Sequence, residues 1–165
     1  MGPEPAATFL HDVARPLFFL HTVAAIAVVG LTVHLLWFAR PIVLGRPGRV
    51  AAVRKLVAVA FWCTLAAVAF GLLLYPEYKA NIRVLFLDRR APAVGLLFDI
   101  KEYAAILSVP LLGFLFAARR ELTPEASREL RGIYGGVLGL WTLAVWIAAV
   151  LGWYTTTVRS LGVPG

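Results

Sequence analysis

Four long apolar blocks, separated by charged and helix-breaking residues, dominate the pattern of this 165-residue chain. The helices that they predict cover about residues 16–39, 56–75, 100–118 and 124–154. Because Pro92 suits the first turn of a helix, a start of the third helix at 92 or 93 is the alternative. An α-helix rises 1.5 Å per residue, so about 20 residues cross the roughly 30 Å of hydrocarbon in a bilayer. Because lipid offers the backbone no hydrogen-bond partner, such segments must be helical. The pattern predicts an all-α, four-helix transmembrane bundle that forms a single integral membrane domain over residues 1–165.

The segments between the blocks predict two further features. In the second loop, Ile82, Leu85 and Phe86 follow helical spacing with basic residues nearby, which is typical of an amphipathic segment at the membrane surface. Before the fourth block, Thr123 is a good N-cap and Pro124 suits the first helical position, so the fourth helix is predicted to begin at 124.

Composition and charge support a membrane location. The chain is 61% hydrophobic and carries a formal net charge of +7. Its basic residues lie at the ends of apolar blocks rather than in a stripe interleaved with aromatic side chains, so no nucleic-acid partner is expected. The loop between the first two helices has no acid and five basic residues, which are Arg40, Arg46, Arg49, Arg54 and Lys55. The positive-inside rule therefore places the first and third loops in the cytoplasm, and we expect a prokaryotic inner membrane.

Two histidines mark the first helix as the candidate centre of any chemistry. His21 and His34 are 13 residues apart, which is about 20 Å and roughly 220° around a helix. They cannot bind one metal, but each could ligate a separate haem b iron or contact a quinone. The other predicted helices contain no histidine and no methionine, so a second haem ligand would come from His11, from a second copy of the chain or from a partner subunit. A five-coordinate haem would need only a single histidine. The alternative is that both histidines only hydrogen-bond between helices.

Polar residues from several helices are expected to converge near His21 on the outer side of the membrane. Candidates for holding a cofactor, together with His21 and His34, are Arg15, Lys101 and Tyr103, and the same polar cluster includes Asp99, Glu102 and Tyr75. Asp99, Glu102 and Tyr103 follow i, i+3, i+4 spacing and can share one helix face. Such a cluster could bind a quinone head, carry protons or hold haem propionates. It could equally be an interfacial ion-pair network that only fixes the loop.

The fourth helix carries two overlapping GxxxG pairs, which are Gly132 with Gly136 and Gly135 with Gly139. Glycines at this spacing let a neighbouring helix approach closely, so we predict that they pack against other helices. Tyr134 and the pair Trp153 and Tyr154 are expected at the two membrane interfaces.

The first helix and the loop after it carry a family resemblance. The stretch LHTVAAIAVVGLTVHLLWFARPIV, with His21, Gly30 and Arg40, resembles the opening of small four-helix membrane proteins of the CopD and HemJ kind. The basic loop and the GLLLYP segment at 71–76 are similar to the same plan. The resemblance implies a haem- or metal-linked redox role with His21 as the ligand to the haem iron.

Two functions remain open at this point. The first is an accessory or anchor subunit of a larger membrane complex, in contact with the lipid bilayer and with other membrane subunits or further copies of the chain. The second is a b-type haem or quinone-linked redox protein that uses His21, with or without His34. No enzyme signature such as HExxH, a Walker A loop or GxSxG occurs in the sequence, so catalysis by the chain alone is not expected.

Overall fold

The computed structural model describes residues 11–79, 83–84 and 91–161. A short 3-10 turn, His11–Val13, leads into four α-helices. We number them in chain order as α1 (Ala14–Val43), α2 (Val50–Tyr78), α3 (Pro92–Ala118) and α4 (Arg128–Leu161). The described residues contain no β-strand. The predicted all-α class is therefore confirmed.

All four helices are long and apolar enough to cross a membrane. The prediction of a four-helix membrane-spanning bundle is thereby confirmed, and the outer faces of the helices contact lipid. The helices form a ring in which α1 packs mainly on α2 and α3 packs mainly on α4, while α1–α4 and α2–α3 contacts close the circle. Chain neighbours are thus spatial neighbours, as short connections require.

Helices α2 and α4 begin at other residues than the sequence predicts, and α3 begins at the earlier of its two predicted starts. Helix α2 begins at Val50 rather than near 56. Helix α3 begins at Pro92 rather than near 100, because proline suits the first helical position and the residues after it pack inside the bundle. Helix α4 begins at Arg128 rather than at 124, because Ser127 is the cap: its hydroxyl accepts the Leu130 N–H at 3.2 Å. Thr123 instead belongs to a turn, in which its carbonyl accepts the Ala126 N–H.

The predicted amphipathic segment falls largely outside the described residues. Ile82, Leu85 and Phe86 are not among them, so that part of the fold prediction stays a prediction. Of this stretch the structure describes Arg83 and Val84.

The apolar core is concentrated in the half of the bundle next to the first and third loops. Side chains with almost no exposure come from the end of α1, the start of α2, the end of α3 and the start of α4; they include Leu35, Ile42, Val57, Leu115, Tyr134 and Trp141. In the opposite half, which contains His21, few side chains are fully buried. The bundle is therefore packed tightly at one end, and His21 and Lys101 lie in the less tightly packed half.

Candidate functional site

His21 is held between α1 and α2. Its Nδ1 lies 2.8 Å from the carbonyl oxygen of Ala67. Because a carbonyl oxygen only accepts, Nδ1 carries the proton and Nε2 is the ring nitrogen with a free lone pair. The ring lies against Gly71, where a Cβ atom would come within 3.2 Å of the imidazole Cε1. Glycine at this position therefore provides the space in which the imidazole sits.

Lys101 enters the same half of the bundle from α3. Its ammonium lies over the Phe98 ring, 4.6 Å from the ring centroid, and its Cε would be 3.5 Å from a Cβ at Gly152 of α4. The ammonium is close enough to His21 for an electrostatic interaction. All four helices thus contribute to one site: His21, Gly71, Lys101 and Gly152 come from α1, α2, α3 and α4 respectively. We call these four residues the His21 site.

A second polar group lies nearer the end of α3. Asp99 accepts both guanidinium nitrogens of Arg83, at 2.5 and 3.0 Å, and the two side chains are 29% and 27% exposed. Glu102 interacts electrostatically with Lys101 and Asp99 and connects the two groups. The rings of Tyr78 and Phe98 stack at 3.9 Å between centroids. The ion pair therefore joins Arg83 to α3.

Other predicted members of the cluster have surroundings of their own. Tyr103 is 73% exposed on the outer surface of α3. The ring of Tyr75 faces the Lys79 ammonium at 5.9 Å. Arg15 is exposed, and among the described residues it forms no ion pair. Among the predicted cofactor-binding residues, an electrostatic interaction with His21 is seen for Lys101 in the described part of the chain.

His34 has a different environment from His21. Its Nδ1–H is donated to the Gly30 carbonyl of its own helix at 2.8 Å, and the side chain is exposed on the outer face of α1. Within residues 11–79, 83–84 and 91–161, no hydrogen bond to Nε2 is formed. The two histidines do lie on different faces, as the 13-residue spacing predicts.

The His21 site provides few side chains that could ligate a haem iron. The protonated Nδ1 leaves Nε2 available, which is the tautomer that an axial histidine ligand requires. No group of three or more potential metal-ligating side chains occurs in the described part of the chain. The His21 site therefore offers Nε2 as one axial ligand, and a six-coordinate haem would need its second ligand from His11, from a second copy of the chain or from a partner subunit.

The glycines of the GxxxG pairs do not share one environment. A Cβ at Gly135 would lie 2.7 Å from a methyl group of Val43, so α1 approaches α4 closely there. Cβ atoms at Gly132, Gly136 and Gly139 would meet no atom within 4 Å. The packing role of these three glycines against another helix stays a prediction.

Several interior features were not predicted from the sequence. The Trp146 indole donates to the Thr32 hydroxyl at 3.1 Å, and Thr32 donates to the Val29 carbonyl at 2.7 Å, which links α4 to α1. Tyr134 is fully buried in the core, so its expected place in an interfacial aromatic belt is wrong. The contacts of Gly71 with His21 and of Gly152 with Lys101 were also not predicted. The signal in the sequence is that a histidine and a lysine within apolar helices need space inside the protein.

Comparisons with known proteins leave the family open. No family model matches the sequence, and searches of curated proteins and of solved structures find no match either. The sequence and the fold together establish that the chain is a small polytopic membrane protein whose four apolar helices contact the lipid bilayer.

Proposed function

We propose that this protein is an accessory or anchor subunit that assembles with another membrane-spanning chain. The observation that carries the proposal is His34, an ionisable side chain on the outer face of α1. A 30-residue helix such as α1 is about 45 Å long, and His34 lies about 8 Å from its midpoint, well within a hydrocarbon layer of about 30 Å. A polar nitrogen at this depth is costly in lipid unless another protein group bonds to it.

Two further observations support an outer partner. Gly30, whose carbonyl holds the His34 ring, is exposed and has no neighbour that a Cβ would meet within 4 Å. On α4, the exposed residues Gly132, Gly136, Gly139 and Leu143 follow alternating spacings of four and three, which is the seam spacing of packed helices. Small residues on such surfaces let a second helix approach closely.

The assembly is tested by co-purification from native membranes in a mild detergent. The wild-type chain should co-purify with a discrete membrane protein or with a second copy of itself. The substitution His34→Leu should reduce the recovery of that partner at least about fivefold. Tyr103→Leu is the matched control, because Tyr103 is a polar aromatic residue exposed on a different helix. Equal recovery by His34→Leu and the wild type would contradict the proposal.

The second candidate function is that of a b-type haem or quinone-linked redox protein. The tautomer of His21 supports it. The Ala67 carbonyl holds Nδ1 protonated and leaves Nε2 free to ligate an iron or to bond a quinone oxygen. A bound haem would supply one-electron chemistry, while Lys101 adds a positive charge beside His21. This reading also agrees with the resemblance to proteins of the CopD and HemJ kind.

An absorbance spectrum before and after dithionite separates the two candidates. A Soret band that shifts on reduction, disappears in His21→Ala and persists in His34→Ala would support a haem on His21. A colourless, folded protein isolated from its native membrane would exclude the haem reading and leave the subunit reading intact.

The proposal includes an orientation. We place the first and third loops in the cytoplasm of a prokaryotic cell, because the first loop region is rich in basic residues. Arg54 of α2 donates to the carbonyls of Arg119 and Arg120 at 3.3 and 2.7 Å, so both loops lie at the same end of the bundle.

A further inference from the structure

Two shallow hollows lie on either side of Trp37, where α1 approaches the first loop. One has a volume of about 400 Å³ and is lined by Trp37, Phe38, Pro41, Pro47, Gly48 and Arg49. The other has a volume of about 290 Å³ and is lined by Trp37, Arg40, Pro41, Leu44 and Arg46. Trp37, which is 75% exposed, and Pro41 form the edge that the two hollows share.

The charge of these hollows is uniformly positive. Arg40, Arg46 and Arg49 are all exposed, and the sequence contains no acid from residue 40 to residue 55. In the described part of the chain, none of the three forms an ion pair. Three guanidinium groups are therefore available to an anion at one edge of the bundle.

Other arginines at this end of the molecule have structural partners. Arg54 caps the end of α3 through the Arg119 and Arg120 carbonyls. Arg131 donates to the carbonyls of Pro124 and Ala126 at 2.5 and 2.7 Å. Arg40, Arg46 and Arg49 thus differ from Arg54 and Arg131, whose guanidinium groups donate to backbone carbonyls. The Arg49 guanidinium lies over the Phe38 ring, 5.7 Å from its centroid.

The position of the hollows favours a lipid as the occupant. They lie at the end of the membrane-spanning α1, where tryptophan is typical of the headgroup level. Apolar surface from Leu44, Pro41 and Trp37 adjoins the guanidinium groups. This combination matches a phospholipid, in which a glycerol backbone joins the phosphate to apolar acyl chains.

We propose that the surface formed by Trp37, Arg40, Arg46 and Arg49, the Trp37 surface, binds the headgroup phosphate of an anionic phospholipid. The planar guanidinium offers paired N–H donors that match phosphate oxygens. Basic residues near an anionic membrane surface each strengthen lipid binding, and clustered ones recognise specific headgroups. The proposal is independent of the partner subunit and of any cofactor at His21.

Native mass spectrometry of the full-length protein, titrated with phosphatidylglycerol or phosphatidylcholine of identical acyl chains, tests the proposal. The wild-type protein should retain phosphatidylglycerol in preference to phosphatidylcholine. The double variant Arg40→Gln/Arg46→Gln should bind phosphatidylglycerol roughly thirtyfold more weakly, since each basic residue contributes a factor of about five. Both residues are exposed, and circular dichroism should show unchanged helix content.

The matched control is Lys55→Gln/Arg120→Gln, which removes two exposed positive charges from the same end but outside both hollows. It should keep its phosphatidylglycerol affinity within about threefold of the wild type. Equal losses in the two double variants would mean that only net charge matters and would overturn the site. Equal retention of the two lipids by the wild-type protein would overturn it as well.

Discussion

The imidazole of His21 on α1 lies directly against Gly71 on α2, with its Cε1 3.2 Å from the place where a Cβ would stand. The same ring donates to the Ala67 carbonyl, one helical turn before Gly71. The glycine and the carbonyl together fix both the position and the tautomer of the histidine. A larger residue at 71 therefore acts on His21 without touching any other polar group of the site.

Gly71→Val should displace the imidazole and destabilise the bundle by about 1–3 kcal/mol, as is typical when a packed interface is overfilled. Unfolding in detergent, followed by circular dichroism, measures the change. Gly113→Val carries the same change of helix propensity, but a Cβ at Gly113 meets no atom within 4 Å, so it should cost less than about 1 kcal/mol. Equal effects of the two variants would show that His21 does not rely on the space at Gly71.

Most of the fold follows from the sequence, because long apolar blocks in lipid leave the helix as their only structure. The helix starts follow less well. Thr123 and Ser127 are both good caps, and only the contacts made by the folded chain select Ser127. Likewise Pro92 indicated a helix start, but the apolar pattern is too weak before residue 100 to favour it over a loop.

The candidate site was predictable only in part. The 13-residue spacing correctly predicts that His21 and His34 lie on different faces of α1, since a helix rotates about 100° per residue. It cannot show which of Lys101, Glu102 and Tyr103 faces His21, because that depends on how α3 is rotated within the ring of helices. Tyr103 faces outward and Lys101 faces inward, and the space for Lys101 is provided by Gly152 on a helix distant in sequence.

The hydrogen bond between Trp146 and Thr32 predicts a contrast between two buried threonines. Thr32→Val removes the acceptor of the indole N–H and should destabilise the protein by about 1 kcal/mol. Thr64→Val should be neutral or stabilising by up to about 1 kcal/mol, because the buried Thr64 hydroxyl makes no hydrogen bond in the described part of the chain. The two variants share the same chemistry, so unfolding experiments that ranked them in the opposite order would contradict these contacts.

The Arg83–Asp99 pair should show energetic coupling. Both side chains are partly exposed, so we expect a coupling energy of about 1 kcal/mol from a double-mutant cycle of Arg83→Gln and Asp99→Asn. The coupling should fall when the salt concentration is raised, since exposed ion pairs are screened. Additive effects of the two substitutions at low salt would show that the two groups do not interact.

The proposed orientation can be tested by labelling with a membrane-impermeant maleimide. Cys63 is the only cysteine, so Cys63→Ser gives a background without thiols. On that background, Arg120→Cys in the third loop should react only after the membrane is permeabilised. Asp12→Cys near the start of α1 should react in intact cells. The reverse pattern would invert the orientation and leave the fold unaffected.

The most direct test of the central claim is photo-crosslinking from position 27 in native membranes. Ala27 is exposed two turns before His34 on the same face of α1, so a photoreactive phenylalanine analogue placed there leaves His34 intact. The same analogue at Tyr103 serves as the comparison on another exposed face. The account predicts a discrete protein adduct from position 27, formed either with another membrane chain or with a second copy of this one. Adducts with lipid alone at position 27 would contradict it, because the outer face of α1 would then have no protein partner.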